Sequence, residues 1–272
     1  IHSFHPDLAM ILNITPGHGE RYDSVNKYAH AKFNIAANMT DDNLLLMSND
    51  IIDLPLLEGK LSAPYKVLDC ESSIRSLSEM IDLKNFQLRG EFNQFNLYFC
   101  LLALSHFRVC LFEDIYELTG FLETFTGVDF RLKKFRGDLQ KRFKYLEIYN
   151  DAKSTNWLST LKAAESFQDE GELTLILGGK LRGHGDGIGP YLAQLEKLVS
   201  EYLFVGESGQ SLLEELQGRP NLKASQFANL DESLNYICET TVDEKKKIIL
   251  YSPAFPSFDQ YKNYIERGEH FK

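Results

Sequence analysis

The densest group of chemically capable side chains lies in residues 150–156, between a predicted strand and a predicted helix. This segment reads Asn150-Asp151-Ala152-Lys153-Ser154-Thr155-Asn156. It combines a carboxylate, an ammonium, hydroxyls and amides, whereas a helix N-cap needs only one or two such groups. We therefore predict a binding or catalytic loop here, with Asp151 and Lys153 as its charged members.

A glycine-rich loop follows the next predicted strand. It reads Gly178-Gly179-Lys180-Leu181-Arg182-Gly183-His184-Gly185-Asp186. Glycines let the backbone approach a ligand, and the two cations, Lys180 and Arg182, suit an anion. The phosphate-binding spacing GxxxxGK[ST] occurs nowhere in the chain, so this loop is not a P-loop.

A third polar segment comes near the C-terminus, after a predicted strand that ends at Tyr251. It reads Ser252-Pro253-Ala254-Phe255-Pro256-Ser257-Phe258-Asp259. We predict that a helix begins at Ser257, and a helix N-terminus favours a carboxylate or a phosphate. The alternative is a proline-containing connector with a serine cap.

The first half of the chain offers weaker candidates. His18 follows a predicted strand and is either a metal or phosphate contact or an exposed loop histidine. Lys32 lies within a predicted helix, where a lone lysine is usually a solvated charge. Asn93 and Asn96 lie three residues apart at the start of an apolar helix, so their amides can share a face and read a purine edge. The alternative is that Asn93 only caps that helix.

The elements that position these residues alternate between strands and helices. Such alternation predicts an α/β fold with a mainly parallel sheet, whose ligands gather at the carboxyl ends of the strands. The predicted strands are 8–14, 43–48, short segments within 65–89, 130–136, 143–149, 173–177, 202–205 and 247–251. The predicted helices are 24–38 with Ser24 as its cap, 93–110, 112–125, 157–167, 188–200, 209–217, 230–239 and 257–267. A shift in composition near Thr126-Gly127 predicts two domains, 1–127 and 128–272.

Composition excludes several classes of protein. The 272 residues carry 29 Lys and Arg against 39 Asp and Glu, a formal charge of −10, which argues against nucleic acid as a partner. The basic stretch from Arg131 to Lys144 is best explained as a solvated strand pair and turn. None of the cysteines forms a CxxC pair, so a zinc site is not expected. No signal peptide or membrane-length apolar run is visible, and we expect a cytoplasmic protein without a membrane partner.

Taken in order, these motifs resemble the Mur ligase family from Pro6-Asp7 to Arg267-Gly268. Residues 150–156 are similar to the Asn-Asp-Ser-Lys-Ala-Thr-Asn pattern of the members that add D-glutamate to UDP-N-acetylmuramoyl-L-alanine. The ending, from Ser252-Pro253-Ala254 through Lys262-Asn263-Tyr264, is also similar to theirs. The resemblance implies that residues 1–127 are the later part of a central ATPase domain. It implies that 128–272 are a Rossmann-like domain that brings the amino acid.

The resemblance also implies an activity and a cellular role. The protein is expected to be an ATP-dependent carbon–nitrogen ligase of peptidoglycan synthesis, acting as a monomer with ATP and Mg²⁺. The family's UDP-binding domain and P-loop are not in this chain, so the chain alone is expected to be inactive.

Residue roles follow from the same resemblance. His18 would bind magnesium, and Lys32 would bind it after carbamylation, which converts a cation into an anion. Lys153 would approach the phosphates and the reacting groups. The residues expected at the nucleotide are Asn93, Asn96, Arg131 and Asp151. The residues expected at D-glutamate are Thr155, Lys180, Arg182, Ser257 and Phe258. The chain departs from the family pattern at Gly17, where an Asp is usual, and at Phe92, where a His is usual.

Two other interpretations remain open. A related ligase of the folylpolyglutamate or peptide-recycling type would use another acceptor, although the motif around Lys153 disfavours it. The second interpretation is a non-catalytic module that binds a nucleotide or a partner. The absence of a P-loop from this chain supports it.

Overall fold

The computed structural model describes residues 3–14, 22, 24–51, 63–109, 115–137, 141–182, 187–219, 221–242 and 244–272. The chain divides into two compact units, Ile1–Phe125 and Thr126–Lys272. The sequence predicts the boundary after residue 127, two residues further along the chain. Both units combine parallel strands with helices, which confirms the α/β class. Among the described residues, no helix is both long and apolar enough to cross a bilayer.

A three-stranded parallel sheet forms the centre of the first unit. Its strands are β1 (Leu8–Ile11), β2 (Leu44–Ser48) and β3 (Tyr65–Leu68), in the order β1-β2-β3. The middle strand is apolar along most of its length because both of its faces are covered. Leu45 packs into a cluster on one face, whereas Leu46 packs against Phe95 and Phe99 on the other.

Helices accompany this sheet in the part of the first unit that the structure describes. They are α1 (Val25–Phe33), α2 (Cys70–Met80), α3 (Glu91–His106) and α4 (Ile115–Thr124). Ser24 caps α1 as predicted, because its hydroxyl accepts a hydrogen bond from the Lys27 amide at 3.2 Å. Of the short strands predicted within 65–89, the structure has β3, and the prediction missed a helix. Helix α2 occupies much of that segment, and the Asp69 carboxylate caps it by accepting from the Ser72 amide at 2.9 Å.

A six-stranded sheet forms the centre of the second unit. Its strands are β4 (Lys133–Phe135), β5 (Leu146–Asn150), β6 (Glu172–Gly178), β7 (Glu201–Val205), β8 (Lys223–Phe227) and β9 (Lys247–Tyr251). Their order is β4-β5-β9-β6-β7-β8, and β4 alone in this sheet is antiparallel to its neighbour. The sequence did not predict β8, because Lys-Ala-Ser-Gln-Phe contains no apolar run. Because β8 lies at the edge of the sheet, it is only partly buried and can form without an apolar run.

Helices alternate with these strands. They are α5 (Trp157–Glu165), α6 (Gly189–Leu195), α7 (Gly209–Glu215), α8 (Leu230–Thr240) and α9 (Tyr264–His270). The prediction that a helix begins at Ser257 is wrong. The segment 257–260 contains a turn, and α9 begins after Asn263, whose side chain accepts from the amides of Ile265 and Glu266 at 2.9 Å each.

A buried carboxylate, Glu201, ties the strands together at the amino edge of this sheet. Glu201 is the first residue of β7 and is 3% exposed. It accepts from Lys223 at 2.7 Å and from the Tyr236 hydroxyl at 2.8 Å, and Lys247 lies 3.5 Å away. Burial raises the pKa of Glu201, but these contacts more than offset burial, so the pKa lies below its usual value of 4.5.

Glu201→Gln is expected to lower the free energy of unfolding of the second unit by roughly 1.5–3 kcal/mol, because charge-assisted hydrogen bonds are lost. Since the pKa of Glu201 is lowered, its stabilising contribution is present above pH 4.5 and is lost as the carboxylate protonates below it. Urea denaturation followed by the emission of Trp157, the single tryptophan, measures this.

Glu172→Gln is the matched control. Glu172 pairs with Lys245 at 3.7 Å on an exposed part of the same edge, so its loss is expected to cost less than about 1 kcal/mol. A gap between the wild type and Glu201→Gln that stays constant from neutral to strongly acidic pH would contradict the role assigned to the carboxylate.

Candidate functional site

The loops after β5, β6, β7 and β9 meet at the carboxyl edge of the six-stranded sheet. The Gly178 amide donates to Pro253 O at 2.9 Å, and the Lys180 amide donates to Pro256 O at 2.8 Å. On the other side, the Asp151 amide donates to Tyr251 O at 2.8 Å. These backbone hydrogen bonds join the predicted polar segments into one connected surface.

Two glycines make this close approach of loops possible. Gly178 has φ 135° and Gly179 has φ 149°, both in the region that disfavours other residues. A Cβ at Gly178 would lie 1.9 Å from Val205 O, and one at Gly179 would lie 2.3 Å from Pro256 O. The sequence pattern indicated glycines that approach a ligand, whereas the structure brings these two against neighbouring backbone.

Lys153 lies in the loop after β5, with its ammonium against an aromatic ring. Its amide donates to Phe130 O at 3.0 Å, and its Nζ lies 3.9 Å from the centroid of the Tyr264 ring. It makes no ion pair with any carboxylate that the structure describes. A partly buried cation held by a ring in this way keeps its full charge available for an anionic ligand.

Tyr264 is the residue that sequence reasoning missed at this site. It is the first residue of α9, and its ring also packs edge-on against Phe130, with centroids 6.4 Å apart. The sequence Lys262-Asn263-Tyr264 could have predicted its position, because Asn263 is a good N-cap and places the tyrosine at the start of a helix.

Asp151 is enclosed by hydrogen bonds from within the unit. Its Oδ1 accepts from the Leu132 amide at 3.0 Å, and its Oδ2 accepts from the Ser252 hydroxyl at 2.7 Å. Burial raises the pKa of Asp151 to about 7, and the hydrogen bonds from Ser252 and Leu132 only partly oppose this. The expected contact of Asp151 with the nucleotide stays a prediction, and its carboxylate already joins the loops around β5 and β9.

The two cations of the glycine-rich loop have protein contacts. Lys180 Nζ lies 2.6 Å from Glu207 Oε2, and both side chains are about half exposed. The Glu207 amide in turn donates to Asp259 Oδ2 at 3.1 Å. An Arg182 guanidinium nitrogen lies 3.5 Å from Ala254 O, a long hydrogen bond. His184 and Asp186 lie outside the described residues.

The other members of the predicted amino-acid pocket differ in exposure. Ser257 is 3% exposed, and its carbonyl accepts from the Tyr261 amide at 2.9 Å, whereas Phe258 is 69% exposed. Thr155 is partly buried in the Lys153 loop. The structure therefore brings Lys153, Thr155 and Ser257 to one sheet edge, with Phe258 at the surface of that edge.

Arg131 is exposed on the segment that leads into β4. The neighbours of Arg131 in sequence, Phe130 and Leu132, both have positive φ angles, 64° and 46°. In the basic stretch beyond Arg131, Lys133 pairs with Asp129 and Lys134 pairs with Glu147, each at 2.7 Å. Two lysines of this stretch are therefore paired with carboxylates of the same unit.

In the first unit, Asn93 and Asn96 lie in α3 and Lys32 lies in α1. The Asn93 amide nitrogen donates to Arg89 O at 2.6 Å, and the N-cap of α3 is Gly90, so the interpretation of Asn93 as the cap is wrong. Asn96 lies one helical turn further on and is partly buried. Lys32 lies in the last turn of α1, with its Nζ 5.3 Å from the centre of the Tyr28 ring.

The metal prediction cannot draw on His18, which lies outside the described residues. Within the described part of the chain, no three His, Cys, Asp or Glu side chains come together to hold a metal ion. A cationic Lys32 would repel such an ion.

Chemically, the carboxyl edge of the second unit suits a ligand with carboxylates or phosphates. Lys153, Lys180 and Arg182 extend from neighbouring loops at the end of a parallel sheet where ligands of α/β proteins gather. Ammonium and guanidinium groups bind carboxylate and phosphate oxygens by charge-assisted hydrogen bonds.

Comparison with known proteins gives consistent matches. Residues 1–73 match the family model of the Mur ligase middle domain. A UDP-N-acetylmuramoylalanine–D-glutamate ligase of Geobacter sp. (strain M21) is 31% identical over 290 residues, which cover 100% of this chain and 60% of that protein. The enzyme of that name from Aquifex aeolicus is 29% identical over 279 residues, 99% of this chain and 62% of that protein. The chain thus spans about 60% of the length of these relatives.

Several solved structures have a fold similar to that of this chain. MurF ligase from Thermotoga maritima in complex with ADP has a TM-score of 0.67 at 12% identity, over 98% of this chain and 60% of that one. Folylpolyglutamate synthase of Mycobacterium tuberculosis, complexed with ADP and AMPPCP, has a TM-score of 0.62 at 14% identity, over 92% and 62%. Likeness at such low identity establishes the fold alone.

Asp151→Asn is expected to change how stability depends on pH. Because burial raises the pKa of Asp151 from 3.8 to about 7, the folded state retains a proton that the unfolded state loses, so stability falls as pH rises through this range. The stability of the wild type relative to Asp151→Asn should fall by roughly 2–4 kcal/mol between pH 4 and pH 8. Urea denaturation at several pH values measures this, and parallel curves for the two proteins would exclude it.

Proposed function

We propose that this chain, a relative of the Mur ligases over its whole length, belongs to an ATP-dependent ligase of peptidoglycan precursor synthesis that joins D-glutamate to UDP-N-acetylmuramoyl-L-alanine. The observation that carries the proposal is Lys153. It lies within a segment similar to the D-glutamate-adding pattern, at the carboxyl end of β5, and its ammonium rests on the Tyr264 ring without a described carboxylate partner. The similarity to D-glutamate ligases across the entire chain supports the choice of acceptor.

The two units have different proposed roles. The first contains residues 1–73, which match the middle domain of the family, and is proposed to be part of the ATPase domain. The second is proposed to hold the incoming amino acid at the carboxyl edge of its sheet. Because the chain spans about 60% of its relatives, the activity proposed is that of the longer protein.

The proposed reaction proceeds through an acyl phosphate. A carboxylate oxygen of the alanyl substrate attacks the γ-phosphorus of ATP, and the bond from that phosphorus to the bridging oxygen breaks, which releases ADP. The neutral amine of D-glutamate then attacks the acyl carbon. The tetrahedral intermediate expels inorganic phosphate with the electron pair of the carbon–oxygen bond, and the new amide nitrogen loses a proton to solvent.

Positioning and charge neutralisation are the tasks of the protein in such a reaction. Lys153 is proposed to neutralise charge on the acyl phosphate, and the Tyr264 ring limits where its ammonium can move. Lys180 and Arg182 are proposed to bind the carboxylates of D-glutamate, together with Thr155, Ser257 and Phe258. Lys180 would then exchange the carboxylate of Glu207 for one of the substrate.

Within the first unit, Asn93 and Asn96 are proposed to supply amides to a nucleotide. Within the second unit, Arg131 is proposed to lie near ATP and Asp151 to contact the ribose. Mg²⁺, with His18 and a carbamylated Lys32 as ligands, stays a prediction, because the described residues alone do not supply a metal-binding set.

Lys153→Ala in the full-length protein is expected to lower kcat by about 100-fold or more, because a preorganised charge at the reacting group is lost. The free energy of unfolding should change by less than about 1 kcal/mol, since Lys153 is partly exposed. Release of ADP and phosphate in the presence of all substrates measures the rate. Lys162→Ala is the control. Lys162 pairs with Glu165 on the exposed side of α5, so this substitution should leave the rate unchanged. A normal rate in Lys153→Ala would remove the main site assignment.

The choice of acceptor is tested by offering D-glutamate and L-glutamate in parallel. With UDP-N-acetylmuramoyl-L-alanine and ATP, the full-length protein is expected to form amide from D-glutamate at least ~100-fold faster than from L-glutamate, because the wrong enantiomer leaves polar groups of the site unpaired. Addition of L-glutamate to a folate instead would favour the folylpolyglutamate-type alternative. Binding of nucleotide without any amide product would favour the non-catalytic module.

A further inference from the structure

Arg267 is a fully buried arginine that the proposed reaction does not use. It lies in α9 and is 1% exposed. Its two terminal nitrogens donate to two different loops, one to Phe255 O and the other to Ala152 O, each at 2.9 Å. Phe255 belongs to the loop after β9, and Ala152 belongs to the loop that carries Lys153.

The guanidinium also packs against a third loop. A Cβ at Gly179, in the loop after β6, would lie 3.1 Å from the Arg267 nitrogen that holds Phe255 O. Three of the loops that build the carboxyl edge therefore meet at one side chain. The geometry needs a planar fork with separate donors, which lysine does not provide.

Arg267 receives little compensation for its buried charge. It forms no ion pair with any described carboxylate, and its Nε has no hydrogen-bond partner. A cavity of about 10 Å³, bordered also by Asp259 and Tyr251, lies beside it. A buried charge costs free energy that an apolar side chain of similar size would not, so packing alone is a poor reason for an arginine here.

The same helix carries Tyr264 one turn earlier. Residues three apart are neighbours on a helix surface. The hydrogen bonds of the Arg267 guanidinium therefore fix where Tyr264 lies along and around the helix axis, and so where its ring lies relative to Lys153. The next residue strengthens the anchor, because Gly268 O accepts from Asn150 at 2.8 Å and Gly268 is packed against the Phe130 ring. The position of α9 is thus set at two points, by Asn150 at the end of β5 and by Ala152 in the loop that follows it.

We propose that Arg267 is a positioning residue of the amino-acid site: its guanidinium fixes the loops after β5, β6 and β9 in one register. This register sets Lys153 against Tyr264 and holds the Ser257 segment. The kinetic consequence of this role rests on the proposed function, whereas the position of the loops can be measured without any enzyme activity.

The test uses Arg267→Lys and Arg267→Gln, which keep the charge and a hydrogen-bonding head respectively. In the full-length protein, kcat/KM for D-glutamate is expected to fall by ~10- to 100-fold while KM for ATP changes less than about two-fold, as expected when only acceptor geometry is lost. In the 272-residue chain, acrylamide quenching of the emission of Trp157 should increase at least about two-fold. Trp157 stacks edge-on against Phe255 at 5.5 Å and reports whether that loop is held.

Glu201→Gln is the matched control, because it also removes a buried charge of the same sheet but at the opposite edge. When Glu201→Gln lowers the free energy of unfolding as much as an Arg267 variant does, it should still leave the kinetics with D-glutamate and the quenching of Trp157 unchanged. Unaltered kinetics and quenching in a folded Arg267 variant would overturn the proposal, and so would equal effects in Glu201→Gln. If Arg267→Lys does not fold, Arg267→Gln carries the same comparison, since it removes the buried charge.

The two hypotheses fail in different ways. A wild-type protein that forms neither the amide nor a hydroxamate with added hydroxylamine would refute the proposed function, since no acyl phosphate would have formed. The quenching of Trp157 would still decide whether Arg267 holds the loops.

Discussion

The second unit depends on one topological constraint, the insertion of β9 between β5 and β6. The chain runs outward through β6, β7 and β8 and then returns through α8 to pair β9 with two strands that are not its neighbours in sequence. Parallel pairing puts the carboxyl ends of β5, β9 and β6 side by side. Polar segments about 100 residues apart in the chain, such as Asp151 and Ser252, thereby come within hydrogen-bonding distance. Without this return, the loop of Lys153 and the loop of Ser257 would have no common edge.

Buried charges are distributed over both edges of this sheet, with different consequences. At the amino edge, Glu201 is surrounded by cations, and its carboxylate is stabilised in the charged form. At the carboxyl edge, Asp151 and Arg267 are buried with hydrogen bonds but without contact partners of opposite charge among the described residues. The first arrangement stabilises a fold, whereas the second holds loops at a cost in solvation. Polar groups held at such a cost are common where geometry matters for function.

The sequence predicted those parts of the structure in which local pattern and tertiary environment agree. Ile248–Tyr251 is a continuous apolar run in a strand that pairs on both sides, and the structure has the strand Lys247–Tyr251 with the predicted bounds. Strand β8 was missed, because its residues carry no apolar run and its pairing with β7 is non-local. The helix expected at Ser257 begins instead at Tyr264, because Asn263 is the stronger cap and the preceding prolines favour extended backbone. The sequence does not predict the burial of Arg267, because nothing in the spacing of residues reveals that an arginine is buried.

The cations of the carboxyl edge are held by different kinds of contact, and this difference has consequences for a ligand. Lys180 is neutralised by Glu207, so an anion that binds there must replace an existing ion pair, and the net gain is the difference between two similar interactions. Lys153 rests on an aromatic face, which orients the ammonium without neutralising it. An incoming phosphate or carboxylate therefore gains more from Lys153 than from Lys180, although both are lysines at the same edge. The strength of the Lys153 site depends in turn on how firmly Tyr264 is held. That rigidity comes from α9, whose buried arginine binds the backbone of the loop that carries Lys153.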